Sequence, residues 1–199
     1  KRELERQQKF EAWKKKKAEN IVFVGKNYSS FLYDQEVNIE HLNSLRLPFI
    51  KSDKDLATFL NIEYKILRFL TYHRDVVSID HYVRYDIPKR SGGMRSIAAP
   101  KSTLKRVQRK ILDEILSKIP VSDNAHGFLK KKSIISGANS HLKQPALVIN
   151  MDLEDFFPTI TFERVRGLFH SFGYSGQIST LLAMICTYCD RIPIEVKEK

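Results

Sequence analysis

The sequence predicts an α+β fold, and three stretches carry that expectation. Residues 82–99 alternate on either side of Ser91-Gly92-Gly93, which reads as a β-hairpin. Leu104, Val107, Ile111, Ile115 and Ile119 recur at spacings of three and four, the stripe of an amphipathic helix. Ala146-Leu147-Val148-Ile149 is a short apolar run that reads as a buried strand and delivers Asp152 at its carboxyl end. There are no internal repeats.

Residues 1 to about 20 are Lys-rich, with Phe10 and Trp13 among few apolar positions, and predict a charged helix or solvated arm. Two short helices follow within 52–74. Ser52 or Asp53 caps the first, Leu56, Phe59 and Leu60 face inward, and Asn61 breaks it. Ile62, Ile66, Leu67 and Leu70 line the second. The pair resembles a helix-turn-helix, but its turn has no Gly and its second helix offers few polar side chains to bases, so a plain packed pair is expected.

The hairpin is Tyr82-Val83-Arg84-Tyr85-Asp86-Ile87 out and Met94-Arg95-Ser96-Ile97-Ala98 back. The long helix then starts near Ser102 or Thr103 and ends at Pro120, with Lys105, Arg106, Arg109 and Lys110 off its apolar stripe. His126-Gly127-Phe128 reads as loop packing, and Ser133–Leu142 as another helix. After the strand to Asp152, Thr161 caps a helix with Val165, Leu168, Phe169 and Phe172 inward, stopped by Gly173. Ser175 opens the last helix, with Ile178, Leu181, Leu182 and Ile185 inward.

A chain of 199 residues with 42% hydrophobic content can bury one sizeable core, or one domain plus a helical appendage. No run approaches the ~18 apolar residues of a membrane span and no signal-peptide pattern opens it, so a soluble cytoplasmic protein with no membrane partner is expected. Cys186 and Cys189 make no disulfide framework and lack a second ligand pair for zinc; burial is expected. His170 reads as an exposed helix position. The chain opens without Met and stops in the charged run Ile194–Lys199, which suggests a piece of something longer.

Charge is distributed unevenly. The chain carries 34 Lys+Arg against 23 Asp+Glu, a formal +11. From Lys89 to Met151 there are 13 basic residues and three acids (Asp113, Glu114, Asp123), a net of +10. Nearly all of the excess lies just upstream of an isolated acidic centre, which suits a polyanion held by its phosphates and processed by a bound metal. The plainer alternative is a solvated basic face.

Asp152 is the centre of that chemistry, although a strand-end Asp before a helix also occurs in phosphatases and phosphoacceptor domains. Nucleotidyl transfer uses two metals about 4 Å apart, and Mg²⁺ prefers hard oxygen ligands, so at least one further carboxylate is needed. Asp155, three residues on, instead offers its backbone N–H to a phosphate. Phe156, Phe157 and Pro158 wall the site with aromatics and turn the chain. Lys89, Arg90 and Arg95 lie on or beside the Gly-rich hairpin tip, where cations can close over a triphosphate, Arg95 in bidentate fashion and Lys89 as a point charge.

The chain resembles a bacterial retron reverse transcriptase of the myxobacterial kind. The matching features are Leu67-Arg68-Phe69-Leu70-Thr71-Tyr72-His73-Arg74, His81-Tyr82-Val83-Arg84, Ile87-Pro88-Lys89-Arg90-Ser91-Gly92-Gly93-Met94-Arg95-Ser96-Ile97-Ala98-Ala99-Pro100, Ala125-His126-Gly127-Phe128 and Asp152-Leu153-Glu154-Asp155-Phe156-Phe157-Pro158. They stand in the family's order across roughly residues 46 to 190.

The resemblance implies a right-hand polymerase, with a basic helical extension over 1–45, fingers over 46–145 and the incomplete beginning of a palm over 146–199. Asp152 then matches the first catalytic metal-binding aspartate, with the Leu153 carbonyl as an extra ligand. Lys89 and Arg95 match the cations that hold the incoming deoxynucleoside triphosphate, and Asp155 and Phe156 match positions whose N–H groups meet it. Phe157 matches the aromatic gate that excludes a ribose 2′-hydroxyl. Arg90, Lys105, Arg106, Arg109, Lys110, Lys130, Lys131 and Lys132 are the expected nucleic-acid contacts.

Implied partners are a structured non-coding RNA, as template and primer, its branched RNA-linked DNA product, and an effector protein in phage defence. The family's Leu-Pro-Gln-Gly stretch, Tyr-x-Asp-Asp turn and thumb are not in this sequence. Asp152 alone cannot hold two Mg²⁺ ions, so their remaining carboxylates must lie outside this chain, and the segment alone is expected to be inactive. Two alternatives stay open: a non-catalytic nucleic-acid-binding fragment, and a defence reverse transcriptase that works without a retron RNA.

Overall fold

The computed structural model describes residues 2–21, 23–25, 27–72, 79–90, 92–139, 141–142, 147, 149–154 and 156–188, with the side chains of 16–18 left aside. Among them, eight α-helices, three short 3-10 turns and one two-stranded antiparallel sheet make a mixed helix-and-strand fold.

Helix α1 (Arg2–Glu19) forms where the Lys-rich stretch predicts it. Its described side chains are exposed and mostly polar; Leu4, Phe10 and Trp13 are exposed among them, and the rings of Phe10 and Trp13 stack at 6.1 Å one turn apart. Asn38 caps α2 (Ile39–Ser44), its Oδ1 accepting from the His41 N–H at 3.0 Å. Ser52 caps α3 (Asp53–Leu60) in a reciprocal box with Asp55. Asn61 ends α3 in the left-handed region at φ 55°, and α4 (Tyr64–Leu70) follows as the second of the predicted pair.

Strands β1 (Tyr82–Pro88) and β2 (Met94–Pro100) pair with Ile87 opposite Arg95 and Tyr85 opposite Ile97. Cross-strand partners share a face, so Val83, Tyr85, Ile87, Arg95 and Ile97 lie on one side. That apolar face is largely open to solvent (Tyr85 50%, Ile87 39% exposed). The hairpin is tied down at its base. Lys101 N–H donates to the His81 carbonyl at 2.9 Å, His81 Nε2 lies 3.0 Å from the Phe69 carbonyl, and Tyr82 meets the Tyr188 ring edge-on.

Helix α5 (Ser102–Glu114) buries Leu104, Val107 and Ile111 as its period predicts. It ends earlier than expected. Ile115 closes it, Leu116–Lys118 tighten into a 3-10 turn, and Pro120 stands beyond. Helix α6 (Ile134–Asn139) is likewise shorter than the predicted 133–142.

Helix α7 (Phe162–Ser171), capped by Thr161, buries Phe169, and Phe172 just beyond it; Leu168 is 46% exposed, a correction to its inward assignment. Leu168 precedes buried Phe169 by one residue, about 100° round the helix, and so turns off the buried stripe.

Helix α8 (Gly176–Cys186) is the centre of the fold. It packs against α3, α5, α7 and the turn Ser29–Tyr33, and buries Ser179 and Thr180 along with Ile178, Leu181, Leu182 and Ile185. Those hydroxyls are satisfied by back-bonds to Tyr174 and Gly176 carbonyls. Asp34 seals the helix start, its Oδ2 accepting from Gly176 N–H and its carbonyl from Gln177 N–H, both at 3.0 Å. Gln108 of α5 ties the far end, its Nε2 donating to the Ile185 carbonyl at 2.8 Å.

The expected strand before Asp152 is not formed among the described residues. Leu147 and Ile149 are 76% and 71% exposed and carry no strand geometry; Ala146 and Val148 lie outside the described residues. A strand needs a neighbour for its N–H and C=O groups, and the described sheet holds β1 and β2 alone.

Gly173 provides a stability test. It follows α7 at φ 104°, and a Cβ there would stand 2.8 Å from the Asn38 carbonyl oxygen. Gly173→Ala should lower stability by about 1–3 kcal/mol, read as a drop of several degrees in melting temperature. An unchanged melting temperature would show that the turn relaxes freely.

Candidate functional site

Asp152 is exposed on a segment without regular structure, between Met151 and Leu153, which are 85% and 71% exposed. The chain then tightens. Phe157–Thr159 form a 3-10 turn, Thr159 Oγ1 donates to the Phe156 carbonyl at 2.7 Å, and Arg164 of α7 donates to the Thr159 carbonyl at 3.0 Å. The aromatic pair is thus hung on the start of α7, which packs on the central α8. Asp155 lies outside the described residues.

Phe156 and Phe157 meet edge-to-face at 5.6 Å, and Phe157 meets Phe128 at 6.1 Å. Phe128 is a residue that sequence reasoning assigned to loop packing. That reading holds for His126, whose Nδ1 lies 2.9 Å from Ser136 Oγ, but Phe128 is 98% exposed. Its backbone has φ 59°, a conformation that costs a bulky residue about 1–3 kcal/mol. The family-ordered Ala125–Phe128 stretch marked the place; the ring contact was not legible there.

At the hairpin tip, Lys89 N–H donates to the Gly93 carbonyl at 3.0 Å and Gly92 N–H to the Lys89 carbonyl at 3.1 Å. Gly92 and Gly93 take φ 89° and 79°, which explains why glycine stands at both. The turn therefore sets Lys89 and Arg95 at the same end of the hairpin, and they and Arg90 are exposed.

Lys105, Arg106 and Arg109 are exposed on α5, while Lys110 is half-buried with its amine 5.5 Å above the Phe59 ring. Lys130 pairs with Asp113 at 3.1 Å, Lys132 Nζ donates to the Asp123 carbonyl at 2.6 Å, and Lys131 is exposed. The basic region is thus one of solvent-facing cations with a few pinned to the body.

Among the described residues no three carboxylate, His or Cys side chains converge on one point. Asp152 fits a hard divalent cation in kind, as an exposed carboxylate, but supplies one ligand of a set. Burial pushes the Cys186 thiol up to about 12, which keeps it a protonated packing group, as expected; Cys189 lies outside the described residues. His170 is exposed and its Nδ1 lies 3.0 Å from the Tyr174 carbonyl. No helix among the described residues is long and apolar enough to cross a membrane.

No protein-family profile matches the chain. Curated relatives do. The chain is 42% identical over 76% of its length to the retron Mx65 reverse transcriptase of Myxococcus xanthus, and 37% over 75% to the retron Mx162 enzyme of the same organism. It is 36% identical over 79% of its length to the retron Ec86 reverse transcriptase of Escherichia coli. Over about three quarters of its length the chain is similar to retron reverse transcriptases. It spans 35%, 31% and 48% of the lengths of those three relatives. Beside that similarity, the exposed Asp152, the Phe156–Phe157 wall and the basic hairpin tip are the parts on which a polymerase reading rests.

Proposed function

We propose that the intact protein is an RNA-directed DNA polymerase that copies a structured non-coding RNA into single-stranded DNA linked to that RNA through a branch. The observation that carries this reading is the identity to retron reverse transcriptases over three quarters of the chain. The relatives' names favour a retron enzyme over a defence reverse transcriptase of another kind.

In this reading residues 46–145 are fingers, residues from 146 open the palm, and 1–45 are a basic extension. Asp152 and the Leu153 carbonyl would hold Mg²⁺, together with carboxylates from the part of the protein that the relatives' greater length leaves room for. Mg²⁺, when bound, supplies charge neutralisation at the transferring phosphates. Lys89 and Arg95 meet the triphosphate from the hairpin tip, whose exposed cations suit an anion arriving from solvent. The N–H groups of Asp155 and Phe156 meet it from the palm side, and Phe157 abuts the sugar. The open apolar face of the hairpin is available to a nucleotide or a template strand.

Arg90, Lys105, Arg106, Arg109, Lys110 and Lys130–Lys132 hold nucleic-acid phosphates. A role in phage defence beside an effector protein, and a cytoplasmic location, complete the proposal.

The phosphate grip predicts a salt dependence. Changing Lys105, Arg106 and Arg109 together to Gln should flatten the slope of log affinity for RNA against log salt by about two to three. An unchanged slope would remove α5 from the RNA surface. The activity itself is tested by supplying the intact protein and its co-purifying RNA with deoxynucleoside triphosphates and Mg²⁺. RNA-linked DNA is the result expected; salt-dependent RNA binding with no synthesis would favour a binding module instead.

A further inference from the structure

Packing does not account for Phe128. It is 98% exposed, yet its backbone is held in the left-handed region and its loop is fastened on both sides. His126 contacts Ser136 upstream of it, and Lys130 and Lys132 are bound to Asp113 and the Asp123 carbonyl downstream. Among the described residues, Phe128 makes its ring contact with Phe157, edge-to-face at 6.1 Å and 78°. Phe156 holds another side of the same ring at 5.6 Å.

Phe157 is itself 69% exposed, so little else restrains its rotamer. A side chain that excludes an atom by bulk works only while it occupies one place. We infer that Phe128 is a positioning residue for Phe157, holding that ring against the sugar of the incoming nucleotide and so setting the choice between deoxyribose and ribose. The inference rests on the proposed reading of Phe157 as the sugar gate.

The test uses the intact protein with its RNA and single-nucleotide incorporation. The readout is the ratio of kcat/KM for a deoxynucleoside triphosphate to that for the matching ribonucleoside triphosphate. Phe128→Ala should lower this ratio about 3- to 10-fold, the worth of one aromatic edge contact, while Phe128→Tyr should keep it. In a Phe157→Ala background, Phe128→Ala should have no further effect, because the ring it positions is gone.

A wild-type ratio in Phe128→Ala, with selectivity lost in Phe157→Ala, overturns the positioning role and leaves the gate standing. Additive losses in the double variant overturn it too, since Phe128 would then act on its own. Unchanged selectivity in Phe157→Ala removes the gate and the inference together. The exposure of Phe128 makes misfolding an avoidable confounder, and equal melting temperatures of the variants check it.

Discussion

Replacing Asp152 with Ala in the intact protein is expected to reduce nucleotide incorporation by at least about a hundredfold while leaving RNA affinity within about twofold. The magnitude follows from losing a ligand in a shared metal site: several kcal/mol of barrier, with about 1.4 kcal/mol for each factor of ten. RNA affinity should hold because binding draws on the many cations between Lys89 and Lys132, not on one exposed carboxylate. Single-turnover incorporation and filter binding on the same preparations measure the two quantities. Residual incorporation above about 1% would take Asp152 out of the metal site.

Phe157→Ala is expected to admit ribonucleotides, reducing sugar selectivity by at least about tenfold with a smaller change in deoxynucleotide incorporation. A steric pocket discriminates by the fit of a few atoms, and removing a whole ring opens the space that a 2′-hydroxyl needs. Because Phe157 is 69% exposed, its truncation leaves no core cavity and the melting temperature should not fall. Competition between a matched pair of nucleotides is the measurement. Unchanged discrimination would remove the gate assignment.

Much of the fold was legible because local rules and packing agree. The stripe from Leu104 to Ile115 is buried as its spacing requires, Ser52, Thr161 and Ser175 cap the helices they precede, and the glycine turn closes the hairpin. What escaped depends on partners far away in the chain. The apolar run before Asp152 has strand composition, but a strand exists by pairing, and the described residues offer it no neighbour.

The central position of α8 was not legible, because its burial extends to the polar Ser179 and Thr180, whose hydroxyls are bonded to the Tyr174 and Gly176 carbonyls. At the candidate site, residue types pointed to Asp152, Phe157 and the hairpin cations. The place of Phe128 was not legible, since neither its left-handed backbone nor its contact with Phe157 has a periodic signature.

The most direct test of the account is the fate of labelled deoxynucleotides given to the intact protein, purified with its own RNA, in the presence of Mg²⁺. The account predicts a discrete DNA strand that stays covalently linked to RNA until ribonuclease digestion and is missing from the Asp152→Ala protein. Retention of RNA with no labelled DNA under any divalent metal would contradict it and leave a nucleic-acid-binding module in its place.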